Sequence, residues 1–385
     1  MATLTKNKAG LFEVRATIGT RENNREIRRK FKLQREAKAF MASLELTTAQ
    51  GGSMAGSRIS LTDYFDQWIT TYKKGKFSKS TDHWYAASLA YVRDYFGATP
   101  LSSITKMQYQ EFINYLGTHK RDRTGRALAK TTVSRVNHYV RSILQDAIDA
   151  GIIATDFTRR VQITGEAGKK PEEKYLSLGD LEKVLELARK GASLRHMADY
   201  VILVQSYTGM RYEEAVGLSW DRIDFEHGSI TIDRSWIYKN RVEFDNFGPL
   251  KNAAAYRTIS MSAKLAAVLR QLQDEQADYF AKRSYEDRNR LVFRNADFRI
   301  INNEAANATL RGLCERAETR NVITTHGLRH THGSILIYDG IDPLSVSKRL
   351  GHQDLQTTLS TYVHEIAEMK ARDDDRISAT LDKLL

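Results

Sequence analysis

Tyr362 stands ten residues after His352 in the stretch LGHQDLQTTLSTYVH, with no cysteine nearby and little apolar bulk around it. Three other stretches of the C-terminal half carry reactive or charged side chains: TGMRYEEAVGL with Arg211, PLKNAAAYRTI with Lys251, and HGLRHTHGS with His326 and Arg329. Each has a plain structural reading on its own. Arg211 can pair locally with Glu213 or Glu214, and Lys251 after Pro249 can be a solvated turn lysine. His326 and His330 are four apart and could share a helix face as zinc ligands do. The glutamate of an HExxH site is missing, however, the single Cys314 supplies no thiolate cluster, and Arg329 would put a fixed cation beside the metal.

Taken together the six residues form a set of hydrogen-bond donors with one nucleophile, which suits phosphoryl transfer without a metal. A phosphodiester under attack gathers negative charge on its non-bridging oxygens, and the protein must meet it. Arginine does so through a planar fork that stays protonated. Histidine adds a donor or moves a proton. A phenol with an ordinary pKa of about 10 is a slow nucleophile, but a cationic pocket favours the phenolate. A lysine on a mobile hairpin turn can protonate the departing sugar oxygen. The phosphotyrosine bond would conserve the energy of the broken phosphodiester, so that a DNA hydroxyl reverses the step without ATP.

Bulk properties agree with a polyanionic partner. The 385 residues carry Lys+Arg 59 against Asp+Glu 47, a net charge of +12, and are long enough for two or three domains. Residues 1–40 hold eleven Lys/Arg and four Glu, so more than half of the excess sits at one end. No apolar run approaches the roughly eighteen residues of a membrane span, and MATLTKNKAG lacks the apolar core of a signal peptide. One cysteine fits a reducing compartment. These features place the chain in the bacterial cytoplasm or nucleoid, with no membrane partner.

The elements that must position the chemistry follow from periodicity. LFEVRATIG alternates as a half-buried strand, TRENNRE reads as a turn, and IRRKFKL returns as a second strand bearing Arg28, Arg29 and Lys30. QREAKAFMASLEL is predicted helical. TTAQGGSMAGSR has linker composition. Helices are expected from Ser60, with Asp63 completing a capping-box-like start, from Ser80 to Tyr95, from Thr105 to Leu116, and from Lys130 to Ala150 with Val133, Val136, Val140, Ile143, Leu144 and Ala147 on one stripe. A basic loop, THKRDRTGRALAK, joins the last two. Beyond the polar QITGEAGKKPEEK come a capped helix from Ser177, the apolar helix MADYVILVQSYTG, a hairpin around Lys239 and Asn240, and helices to the end.

The order Arg, Lys, His-x-x-Arg, Gly-His, Tyr, with HGLRHTHGS and LGHQDLQTTLSTYVH as written, resembles the tyrosine recombinase (integrase) family of phages and conjugative elements. The resemblance implies a mainly α, multidomain fold with small β-sheets. Residues 1–50 would form an arm-type DNA-binding domain of a three-stranded sheet and a helix. A linker at 51–58, a four-helix core-binding domain at 59–160 and a second linker at 161–173 follow. Residues 174–385 would form a mixed α/β catalytic domain with a C-terminal tail helix. Roles carry over by position: Arg211 and Arg329 hold the scissile phosphate, Lys251 is the general acid, His326 assists proton transfer, His352 donates to the phosphate, and Tyr362 is the nucleophile. His330, His332 and His364 are left as structural or DNA-contacting. DNA contacts are expected at Arg15, Arg28, Arg29, Lys30, Lys130 and Arg135.

The implied function is site-specific recombination for a mobile element such as a temperate phage or an integrative conjugative element. Strands would be cut and rejoined through a 3′-phosphotyrosine intermediate and a Holliday junction, in integration and excision, without cofactor or metal. Expected partners are double-stranded DNA with core and arm attachment sites, a homotetramer on that DNA, a host DNA-bending protein and an excisionase. The tail stripe Ile377, Leu381, Leu384 and Leu385 would dock on a neighbouring protomer. A type IB topoisomerase-like nicking-closing enzyme, or a DNA-binding regulator with a relic active site, are the alternatives.

Overall fold

A computed structural model of the chain describes residues 2–6, 10–20, 23–38, 40–41, 59–73, 75–76, 79–120, 122, 125–237, 246–362 and 382. The chain divides into two compact units, Met1–Gly168 and Lys169–Leu385. The linker expected at 51–58, the tip of the hairpin around Lys239 and Asn240, His364 and the apolar stripe of the tail lie outside the described residues.

In the first unit, strands β1 (Ala2–Lys6), β2 (Phe12–Thr20) and β3 (Asn23–Phe31) form an antiparallel sheet in sequence order. The alternation seen in LFEVRATIG sets its faces. Val14 is buried together with Ala37, and Leu4, Phe12, Phe31, Phe40 and Met41 pack around them. Cross-strand pairs Val14↔Arg29 and Phe12↔Phe31 share that face, while Glu13↔Lys30 and Arg15↔Arg28 share the other. Most of TRENNRE, read as a turn, belongs to strands, which run to Thr20 and resume at Asn23. A stretch composed almost wholly of polar residues carries no apolar alternation by which to recognise a strand.

Four helices follow: α1 (Leu61–Trp68), α2 (Lys79–Phe96), α3 (Lys106–Thr118) and α4 (Lys130–Asp149). Their starts are local chemistry. Ser60 accepts from the Asp63 amide, and Thr105 with Gln108 forms a reciprocal capping box. The stripe of α4 (Val133, Val136, Val140, Ile143, Leu144 and Ala147) is wholly buried and meets Phe65, Tyr109, Phe112 and Leu116. The α1 helix continues as a π-helical turn, Ile69–Lys73, that its sequence does not announce. Residues 161–166, within the segment expected as a linker, are tied to the helices. The Gln162 amide donates to Gln110 (2.8 Å), Thr164 to the Ile113 carbonyl (2.8 Å), and the Lys130 amide to the Glu166 carbonyl (2.8 Å).

In the second unit, α5 (Leu178–Gly191) and α6 (Met197–Thr208) lead into α7 (Tyr212–Val216). Apolar residues surround α6 because it is central, packed by α5, by α8 (Ala263–Ala281), by α9 (Asn303–Arg316) and by α10 (Thr325–Tyr338). Helices α11 (Pro343–Leu350) and α12 (Leu355–Thr361) end the described chain, save for residue 382. Strands β4 (Ile223–Asp224), β5 (Ser229–Ile232) and β8 (Arg257–Ser260) form one antiparallel sheet, and β6 (Ser235–Trp236) pairs with β7 (Phe247–Gly248). The expectation of helices alone beyond the hairpin is corrected by β8. Its four residues bury only Ile259, too short a run for alternation to show, and its place is fixed by pairing to β5 (Ile230↔Ile259).

Ile143→Ala should destabilise the first unit by about 2–5 kcal/mol, the cost of a cavity in a closed core. The urea midpoint should fall without a change of slope.

Candidate active site

The second unit brings four chain segments to one place. Helix α6 stops at Gly209, whose φ of 68° turns the chain so that Arg211 becomes the N-cap of α7. Helix α10 carries His326, Arg329, His330 and His332, and β8 begins with Arg257. Helix α11 ends at Gly351, which holds φ 69° and is followed by His352.

Arginines are drawn in by acceptors placed for them. Glu214, 3% exposed, accepts from Arg211 Nη1 (2.7 Å) and from Arg257 Nη2 (2.9 Å), and a second bond to the Arg211 amide (3.0 Å) fixes the start of α7. Burial pushes the Glu214 carboxyl up, but Arg257 and then Arg211 hold it below the usual carboxylate range. The last carbonyls of α11 are each taken by a different guanidinium. Arg257 Nε donates to the carbonyl of Arg349 (2.6 Å), Arg329 Nη2 to that of Leu350 (2.5 Å), and Arg211 Nη2 to that of Gly351 (3.3 Å). A helix C-terminus carries partial negative charge, so cations there are favoured. Arg329 Nη1 also donates to the Gly209 carbonyl (2.8 Å). Burial, reinforced by Arg211, pushes the Arg329 guanidinium down to about 9, which leaves it cationic at neutral pH.

The histidines are kept neutral by the same surroundings. Desolvation of its ring, then Arg329, Arg211 and Lys251, lowers His326 below the ordinary imidazole value. Burial brings His330 to about 4, helped by His326 and Arg329, and His352 to about 4, helped by Arg329 and Arg211. His352 Nδ1 lies 2.7 Å from the Thr358 hydroxyl, and if that hydroxyl donates, the ring proton is on Nε2. His332, brought to about 4 by burial and Arg349, stands between the Ser206 carbonyl (2.9 Å, at Nδ1) and Arg349 Nε (3.0 Å, at Nε2). A carbonyl needs a donor and an arginine needs an acceptor, so His332 is the neutral Nδ1–H tautomer.

Tyr362 ends α12 with its ring 1% exposed, packed on Ile337, Val346 and Leu350. Its hydroxyl faces the Arg329 carbonyl (3.5 Å) and the bare backbone of Gly333, where any Cβ would collide with the phenol. The His330 ring stands edge-on to Tyr362 (6.4 Å between centroids) and to His326 (4.7 Å). Lys251 is exposed in the connection from β7 to β8.

Five of the six residues singled out in the sequence therefore share one cluster with Glu214 and Arg257, and Lys251 lies on its rim, close enough to lower His326. Arg257 and the Arg349–His332 pair were missed. Arg257 stands six residues after Lys251, but its partners lie 43 and 92 positions away, a separation no periodicity reveals. His326 and His330 stand edge to face rather than converging on a point. Among the described residues no group of three or more His, Cys, Asp or Glu is arranged to hold a metal ion. In the first unit Arg15, Arg28 and Lys30 share the open face of the sheet. Arg29 is on the opposite face, over the Phe31 (5.8 Å) and Phe40 (5.3 Å) rings. Lys130 opens α4, and Arg135 lies over the Trp84 ring at 4.2 Å.

A family model described as the phage integrase family matches residues 174–369, and one described as a phage integrase SAM-like domain matches residues 60–163. A protein named tyrosine recombinase XerC-like, from Caldanaerobacter subterraneus subsp. tengcongensis, is 24% identical over 396 residues, covering 95% of each chain. The integrase of Staphylococcus phage L54a is 26% identical over 56% of this chain and 62% of its own. The solved structure of the Tn1549 transposon integrase with transposon right end DNA has the same fold, with a TM-score of 0.68 at 16% identity over 83% of this chain and 100% of that one.

Glu214→Gln should cost about 3–5 kcal/mol, because the buried Arg257 and the half-buried Arg211 lose their carboxylate. Denaturant unfolding measures it. Acid should also weaken the unit. His330, His332 and His352 sit near 4 when folded against about 6.5 unfolded, so between these values the unfolded chain holds more protons and stability falls as pH falls. The Tm should drop over that window, and His332→Gln should shrink the drop.

Proposed function

The chain belongs to the phage integrase family, and from that premise we propose that it is the site-specific recombinase of a mobile element, cutting and rejoining DNA through a tyrosine without a metal ion. The observation that carries this reading is the gathering of Arg211, Arg329, His326 and His352 beside one buried tyrosine. In the reaction, Tyr362 Oη forms a bond to the scissile phosphorus while the bond to the 5′-oxygen breaks. The phenolic proton passes to His326, and Lys251 protonates the leaving oxygen. Arg211 and Arg329 bind the non-bridging oxygens, for a guanidinium has five N–H donors and only two of Arg329's atoms are engaged by carbonyls. His352 donates from Nε2, and the approaching phosphate raises its pKa. Since the Tyr362 ring is buried, attack requires it to leave its seat on Gly333.

The basic outer face of the small sheet, with Arg15, Arg28 and Lys30, suits arm-site DNA, because a β-ribbon fits the major groove. Residues 59–160 with Lys130 and Arg135 would hold the core site. Two such modules on one chain raise avidity at paired sites. A homotetramer would then assemble on two duplexes, with a host DNA-bending protein and an excisionase setting direction, and strand exchange would pass through a Holliday junction.

Tyr362→Phe should bind core-site DNA with unchanged affinity and form no covalent adduct on a nicked substrate. Arg211→Lys should form adduct at least about 100-fold more slowly, since a point charge cannot replace a fork. Normal recombination by either variant would refute the assignment. Binding should weaken steeply with added salt, as phosphate contacts release counterions.

A further inference from the structure

Arg257 has no place among the six residues so far given roles, yet each end of its guanidinium is spent on a different part of the site. Nε donates to the Arg349 carbonyl (2.6 Å), Nη1 to the Ala255 carbonyl (2.7 Å) and Nη2 to Glu214 (2.9 Å). Unlike Arg329, it has all three of its nitrogens committed to protein acceptors, so it does not itself meet a phosphate. Its Ala255 bond closes the short 3-10 turn Ala253–Ala255 that follows Lys251, and the Asn252 side chain caps the same turn by accepting from the Ala255 amide (3.0 Å). On the other side of Lys251, Leu250 is buried. The turn is pressed on the segment that leads to His352. A Cβ on Gly351 would stand 3.0 Å from the Ala254 carbonyl oxygen, from Ala255 Cα and from Arg257 Nη1, at a φ of 69° that already disfavours a side chain.

We infer that Arg257 is a positioning residue that locks the Lys251 turn against the Gly351–His352 segment and so fixes where Lys251 delivers its proton. This rests on the reading of Lys251 as general acid. Lys251 is exposed on a connecting turn and has no side-chain hydrogen bond among the described residues, so the rigidity that proton transfer requires must come from the backbone beneath it. Arginine serves because one planar group bonds in three directions; lysine cannot.

The test compares cleavage of two nicked core-site DNAs, one with the ordinary 5′-oxygen at the scissile phosphate and one with sulfur in that bridging position. In both, the Tyr362 oxygen bonds to phosphorus and the bridging bond breaks. Oxygen leaves with a proton from Lys251, whereas sulfur leaves as a stable thiolate and needs none. Lys251→Ala should be slow on the oxygen DNA and restored by sulfur. Arg257→Gln should show the same pattern, about 100-fold slower on oxygen and within a few-fold of wild type on sulfur. Asn252→Ala loosens the same turn without stranding a buried charge, and should give a smaller loss that sulfur also restores, which serves if Arg257→Gln does not fold. Equal slowing on both DNAs by Arg257→Gln or Asn252→Ala, with Lys251→Ala restored, would overturn the inference and leave the catalytic reading intact. Failure of sulfur to restore Lys251→Ala would instead overturn the role of Lys251, and the inference with it.

Discussion

The second unit is organised around the burial of like charges. Arg211, Arg257 and Arg329 converge on the end of α11, and bringing guanidinium groups out of water costs several kcal/mol each unless their donors are met. Two devices meet them. The Glu214 carboxylate bridges Arg211 and Arg257, and the carbonyls of residues 349, 350 and 351 accept from three different arginines. A sharp stop of α11 at Gly351 is what leaves those carbonyls exposed for capture. Burial, and then these same charges, keep His326, His330, His332 and His352 neutral, so that positive charge is concentrated on groups that cannot lose it near neutral pH.

Such a site is preorganised for an anion. A phosphodiester entering it would find donors already oriented and held by the fold, and its reaction would require little further ordering of the protein. Tyr362 is the exception. Its phenol is packed into the notch at Gly333, between α10 and α11, which joins the tyrosine to the same helix end that anchors the arginines.

Local chemistry made much of this legible in the sequence. Ser60, Thr105 and Ser177 mark helix starts, the α4 stripe from Val133 to Ala147 marks a core face, and Gly97 and Gly151 close their helices with positive φ. The HGLRHTHGS and LGHQDLQTTLSTYVH stretches pointed to side chains that the fold brings together, because reactive residues cluster there in sequence. What stayed hidden depends on distant partners. Glu214 reads as a local partner of Arg211, and only the fold adds Arg257 to it. His332 looks interchangeable with His330 until Ser206 and Arg349 are brought to its two nitrogens. Arg29 lies among basic neighbours in sequence, and only the register puts it on the inner face of the sheet.

The most direct measurement is the chemical location of the covalent bond. Wild-type protein is incubated with nicked core-site DNA in EDTA, the adduct is digested with protease and nuclease, and the modified peptide is sequenced by mass spectrometry. The expected result is a nucleotide joined through its 3′-phosphate to Tyr362, formed with chelator present. A nucleotide on any other residue, or an adduct that forms only when a divalent cation is restored, would contradict the account.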